Sequence, residues 1–103
     1  MPRAGEVIKA MEKAGRLAPG NAMLWSSLAD IYLKLNRTAD ALRVLRKAVR
    51  LAPENARSWL ALGDLYRGAN KPREARKAYQ AACDLEPDNR QARAALESLD
   101  RRA

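Results

Sequence analysis

Leu51-Ala52-Pro53-Glu54-Asn55 stands near the middle of the chain and has a copy on either side. Leu17-Ala18-Pro19-Gly20-Asn21 lies 34 residues before it, and Leu85-Glu86-Pro87-Asp88-Asn89 lies 34 residues after it. The match runs outward without gaps. Trp25 recurs as Trp59, Leu28 as Leu62, Asp30 as Asp64, Tyr32 as Tyr66 and Asn36 as Asn70. Ala41 recurs as Ala75 and Ala48 as Ala82. A period of this length marks stacked supersecondary units, each of which needs its neighbours to bury its apolar face.

Inside each unit the apolar spacing is helical. Stepping 100° per residue from Trp25, Leu28, Ala29 and Tyr32 fall within about 60° of it, on one stripe. Trp59, Leu62, Gly63 and Tyr66 repeat that stripe. The second half of each unit carries its own, Ala41-Val44-Leu45-Ala48 and then Ala75-Ala78-Tyr79-Ala82. Small residues there allow close helix approach, and Leu45 and Tyr79 fill the space beside them. Asn36 and Asn70 sit where a first helix should end, because Asn tolerates the left-handed backbone of a helix terminus. Pro72 suits a first helical turn. Thr38 is the expected N-cap of the matching helix. Pro19, Pro53 and Pro87 stop the second helices, and Asn21, Asn55 and Asn89 cap the helices that follow. The reading is all-α, with six helices at roughly 4–18, 22–36, 38–52, 56–70, 72–86 and 90–101. Short turns between them predict antiparallel neighbours.

These residues resemble the tetratricopeptide repeat. Trp25-x-x-Leu28-Ala29-x-x-Tyr32, then Ala41, Leu45, Ala48 and Pro53, is similar to one whole repeat over residues 22–55. Trp59-x-x-Leu62-Gly63-x-x-Tyr66, then Ala75, Tyr79, Ala82 and Pro87, is similar to a second over 56–89. Residues 4–21 look like the second half of a preceding repeat, with Val7, Met11, Ala14 and Pro19 in matching places, and 90–103 look like the extra helix that closes such arrays. The departures are Ala29 in place of a glycine and Leu45 in place of an aromatic residue. The resemblance implies one domain over 1–103: helix pairs stacked as a right-handed superhelix, an α–α solenoid with a concave inner surface. It implies peptide or protein binding and no catalysis.

In the family the outward face of each first helix lines the groove. Here that face carries Met23, Ser26, Asp30, Leu33 and Lys34, then Arg57, Leu60, Asp64, Arg67 and Gly68, then Gln91, Ala94 and Ser98. Apolar anchors among both signs of charge suit a peptide of mixed character. Arrays of this kind that clamp the acidic C-terminus of chaperones place Lys, Asn and Arg on the face. The matching places here hold Ser26, Asp30, Leu60 and Asp64, and two aspartates repel a carboxylate. The clamp is read as absent. Asp30 and Asp64 are otherwise read as surface charges, paired with Arg57 or Arg67 or simply solvated. Trp25, Trp59, Tyr32, Tyr66 and Tyr79 fall on packing positions and are read as core.

A second candidate surface is basic. Arg43, Arg46, Lys47 and Arg50 cluster on one side of a second helix, and Lys9, Lys13 and Arg16 on the corresponding side of the first. Lys71, Arg73, Arg76, Lys77, Arg90, Arg93, Arg101 and Arg102 extend the series. The chain holds 20 Lys and Arg against 12 Asp and Glu, a net charge of +8. Such a face binds phosphates on nucleic acid or an anionic membrane surface, or simply keeps the protein in solution. No aromatic residue interleaves with the strip.

Composition removes other classes. With no histidine and one cysteine there is no histidine base, no disulfide within the chain and no cysteine-based metal site. Ser26, Ser27 and Ser58 have nothing to activate them, and there is no Gly-rich phosphate loop. No enzyme activity, metal or cofactor is expected. Cys83 is read as a small core hydrophobe. No apolar run approaches the 18 or so residues of a membrane span, and no signal peptide opens the chain. The reading is a soluble protein, cytoplasmic rather than periplasmic, with an arginine- and alanine-rich composition that resembles bacterial chains. The first helix lacks a polar outer cap, so Val7, Ile8 and Met11 are expected to be uncovered. Either the chain is an excerpt of a longer array begun at Met1, or this end pairs with a second copy. The sequence thus predicts a groove-binding adaptor, with anion binding on the basic face, or a structural spacer, as alternatives.

Overall fold

The computed structural model describes residues 3–102, with the backbone alone at Arg102. Met1 and the Arg102 side chain, both used in the reading above, lie outside the described residues. Six helices follow one another: α1 Ala4–Leu17, α2 Ala22–Lys34, α3 Thr38–Leu51, α4 Ala56–Gly68, α5 Pro72–Leu85 and α6 Arg90–Arg102. Among the described residues there is no strand.

The first five helices end a residue or two earlier than the apolar pattern suggests. The cause is backbone capping. Asn36 and Asn70 both take φ of 60°. Beyond α2, the Arg37 N–H donates to the Tyr32 carbonyl at 2.8 Å and the Asn36 N–H to Leu33 at 3.0 Å. Beyond α4, Lys71 donates to Tyr66 at 2.9 Å and Asn70 to Arg67 at 3.1 Å. These paired bonds are Schellman closures with Asn in the place usually taken by Gly.

Helix starts mostly follow the prediction. Asn21 Oδ1 accepts from the Leu24 N–H, Asn55 Oδ1 from Arg57 and Asn89 Oδ1 from Ala92. Pro72 occupies the first turn of α5. Thr38 corrects the reading: it is the first helical residue, and Arg37 is the N-cap, with no side-chain cap bond. The Schellman closure already fixes Arg37 at the junction, and its Nε donates instead to Asp40 at 2.9 Å.

Two compact units of three helices result, Met1–Ala52 and Pro53–Ala103. The division falls inside the Leu51–Asn55 landmark. In the first unit α2 packs against α3 and against α1. Leu28, Tyr32, Val44 and Leu45 are each 1% exposed there. Trp25 is buried, its indole N–H donating to the Pro19 carbonyl at 3.3 Å. A Cβ on Gly15 of α1 would lie 2.7 Å from the Trp25 ring, so only glycine lets α1 come this close. In the second unit α5 packs against α4 and α6. Its core joins Tyr79 and Ala82 of α5 to Ala92, Ala95 and Leu99 of α6. Trp59 and Tyr66 pack on this cluster half-buried, more exposed than their counterparts Trp25 and Tyr32. The Trp59 indole N–H reaches the Pro53 carbonyl at 2.7 Å.

Candidate partner-binding faces

The two ends of α2 place its face. The Asn21 cap starts the helix and Asn36 turns the chain out of it, so Met23 and Lys34 stand one near each end. Trp25, Leu28, Ala29 and Tyr32 turn inward. Met23 (75% exposed), Asp30, Leu33 (37% exposed) and Lys34 remain outside, with Ser26 half-buried. A helix that already buries one apolar stripe therefore carries two further large apolar side chains in solvent.

On α4 the corresponding face is polar. Arg57, Asp64 and Arg67 are exposed, and so is Gly68. Leu60 is a correction: it is 9% exposed and belongs to the core cluster of its unit with α6 residues, so it is no surface anchor. In the same unit Gln91 and Ala94 of α6 are exposed and Ser98 is half-buried.

Asp64 is the hub of the α4 face. It accepts a hydrogen bond from the Tyr79 hydroxyl at 2.5 Å and pairs with Arg67 at 3.7 Å. The Arg67 guanidinium lies 5.6 Å from the centre of the Tyr79 ring. Burial, then the Asp64 hydrogen bond and charge, push the Tyr79 phenol well above its ordinary value. Tyr32 shows the same logic in the first unit. Its hydroxyl donates to Glu12 of α1 at 3.0 Å, and burial followed by that bond raises its phenol. Neither phenol ionises at neutral pH. Both act as hydrogen-bond donors that anchor a carboxylate to the core.

The basic strip divides. Lys9, Lys13, Arg16, Arg43, Arg46 and Arg50 are exposed. Lys47 is half-buried, its ammonium 4.2 Å from the centre of the Trp25 ring, so it seals the core by a cation–π contact. An aromatic ring thus lies beneath the strip, where the sequence reading placed none. Arg37 is held similarly, 4.9 Å over Tyr32 and 2.8 Å from Asp40. Arg76 pairs with Asp100 of α6.

The expected bare end is a second correction. Ile8 is 5% exposed and belongs to the core, while Val7 and Met11 are half-buried. Among the described residues the large apolar side chains most in solvent are instead Leu17 (79%) and Met23, on either side of the α1–α2 turn. Sequence reasoning missed Leu17, although it opens the first landmark. Its counterparts Leu51 and Leu85 are about half as exposed, at 39% and 40%.

Cys83 is half-buried and lines a cleft of about 480 Å³ between α5 and α6, with Gln80, Asp84, Arg93 and Leu96. Burial and then Asp84 push its thiol up, opposed by Arg93. The thiol stays protonated, which suits packing rather than nucleophilic chemistry. Among the described residues no cluster of three metal-ligating side chains occurs, and no helix is long and apolar enough to cross a membrane.

The tetratricopeptide repeat model matches residues 21–87. That is more than half of the chain, and the chain belongs to this family. Solved tetratricopeptide domains share its fold. The first such domain of Spaghetti (RPAP3), solved bound to the HSP90 peptide SRMEEVD, is 26% identical; the match covers 96% of this chain and 79% of that one, with a TM-score of 0.85. The first domain of human RPAP3 is also 26% identical, over 95% of this chain and 77% of that one, with a TM-score of 0.83. The Arabidopsis OM64 domain, 23% identical, matches over 97% and 83% with a TM-score of 0.85, a likeness of fold alone. No curated protein matches this chain.

Proposed function

We propose that this chain is a non-enzymatic protein-interaction module that holds a peptide or an extended partner segment on the outward faces of its first helices. One observation carries the reading: Met23 and Leu33 stand exposed on α2 although the helix already buries a complete apolar stripe. Exposed apolar side chains flanked by Asp30 and Lys34 are the anchors that helix-face recognition uses. In the second unit the α4 face presents Arg57, Asp64 and Arg67, a charged surface of its own. The peptide-bound Spaghetti domain supports the class of function by likeness of fold.

The ligand of that domain does not transfer. SRMEEVD carries two glutamates and an aspartate. At the places matched to the family's carboxylate clamp this chain carries Ser26, Asp30, Leu60 and Asp64, and the two aspartates repel a carboxylate. The preferred segment is therefore apolar with mixed charge, rather than acidic.

A displayed library of random peptides, panned on the full chain at high salt, tests this. The expected result is a family of peptides sharing apolar positions, with binding lost in Met23→Asp/Leu33→Asp while the helical signal persists. SRMEEVD should compete weakly at most. Failure to enrich any family, or enrichment that ignores the double substitution, overturns the reading.

A further inference from the structure

The outward sides of α1 and α3 carry a charge pattern that peptide binding leaves unused. Of the net +8, residues 1–52 hold ten Lys and Arg against four Asp and Glu, a net +6, and residues 53–103 hold ten against eight, a net +2. Within the first unit the excess is ordered. Arg43, Arg46 and Arg50 recur at i, i+3 and i+7 and so fall within about 60° of one another on α3. Lys9, Lys13 and Arg16 recur at i, i+4 and i+7 on α1, with the same result. Both rows lie on the sides of their helices turned away from α2, against which the buried faces pack. Trp25 of α2 touches Gly15 of α1 and lies under Lys47 of α3, so both helices meet at one indole.

These cations are available. Arg43 is 3.6 Å from Asp40, which is already held by Arg37 at 2.8 Å. Among the described residues Lys9, Lys13, Arg16, Arg46 and Arg50 have no ion pair. Glu12 is tied to the Tyr32 hydroxyl, which leaves Glu6, at the start of α1, as the one exposed acid in the row.

We propose that this double row docks the first unit on an anionic phospholipid surface by contact with headgroup phosphates, without insertion. The features of the face choose among anionic partners. The two aromatic rings nearby are covered, Trp25 under Lys47 and Tyr32 under Arg37, so no stacking platform for unpaired bases is presented. No Asn or Gln stands in either row to read adenine edges. Between the cations no large apolar side chain is exposed; Leu17 (79%) and Leu51 (39%) stand in solvent only past Arg16 and Arg50, at the ends of α1 and α3, where they can touch the headgroup layer. What remains is six cations on two helices that both pack on α2, within the four to eight that mark a cluster able to attract anionic lipid.

The test is flotation of the full chain with vesicles of phosphatidylcholine alone and of phosphatidylcholine with phosphatidylserine. Binding is expected to the serine-lipid vesicles only, and to vanish near 1 M salt, where screening acts over about 3 Å. Arg43→Glu/Arg46→Glu/Arg50→Glu should weaken it on the order of a hundredfold or more. Lys9→Glu/Lys13→Glu on the other helix should also weaken it, so the inference does not hang on one variant. Lys71→Glu/Arg73→Glu, a matched change of charge in the second unit, should leave most of the binding. No binding, equal binding to both vesicles, equal loss in all three variants, or displacement from vesicles by equimolar duplex RNA overturns the proposal.

Discussion

The ring of Tyr79 lies directly over Gly63, and a methyl group added to that glycine would stand 2.6 Å from two ring carbons. The ring cannot swing aside, because its hydroxyl is tied to Asp64, the next residue of α4, and the side chain is 0% exposed. The first unit solves the same contact with other residues. There Ala29 takes the place of the glycine and Leu45 that of the tyrosine, both 1% exposed. Glycine goes with the aromatic ring and alanine with the smaller side chain. Gly63→Ala should therefore destabilise by about 1–3 kcal/mol through overpacking, despite the gain in helix propensity. With Tyr79→Leu in the background the same change should become stabilising. Urea denaturation of the four members of this cycle measures the coupling, expected to be about 2 kcal/mol. Additive effects would mean that the ring yields.

The bond between Tyr79 and Asp64 also predicts an alkaline limit. The phenol is raised in the folded state by burial first and by Asp64 second, with Arg67 opposing. A raised folded value means that the folded chain holds this proton more tightly than the unfolded chain. The stability it contributes is fully present below the unfolded value of about 10 and is lost as pH rises beyond that. Tyr32 adds to the effect in the same direction. Phenolate absorbance should rise at a higher pH in the folded chain than in urea. Asp64→Asn should bring the Tyr79 step downward, since it removes the carboxylate's charge.

Asn36 and Asn70 hold φ at 60° without being glycine. Most L-residues meet a penalty of about 1–2 kcal/mol in that conformation, which Asn partly escapes by local hydrogen bonding. Asn70→Ala should lower the midpoint of thermal unfolding by about 4–8 °C per kcal/mol lost. Asn70→Gly should be neutral or raise it. Equal effects of the two would show that the backbone relaxes out of the left-handed region.

The helix count, the caps at Asn21, Asn55 and Asn89, and the turns at Asn36 and Asn70 were legible because each follows from local chemistry recurring at a fixed interval. Burial was less legible, because the helical period shows which way a residue points and not what covers it. Leu60 shares its register with Ser26, yet one is packed in a core with α6 residues and the other half-buried. Ile8 was assigned to an open end and is covered. Lys47 reads as one more member of a basic strip until the Trp25 ring beneath it is seen. Thr38 fits a capping preference, but the Schellman closure before it had already placed Arg37 at the cap. The errors at Leu60 and Lys47 came from contacts between helices, which no local pattern records, whereas Thr38 lost to a competing local closure.

The difference between Leu60 and the α2 face separates partner binding from stability. Leu60→Ala removes buried contacts and should cost about 2–5 kcal/mol. Met23→Ala and Leu33→Ala delete exposed side chains and should stay within about 0.5 kcal/mol of the parent. Affinity for a selected peptide should follow the reverse order at a temperature where all three variants remain folded. Met23→Ala and Leu33→Ala should then lose binding, and Leu60→Ala should keep most of it. Calorimetric titration beside thermal unfolding of the same samples supplies both quantities. A Leu60→Ala chain that is folded but no longer binds would place the contact on α4, and would show that a side chain 9% exposed in this structure is uncovered when the partner arrives.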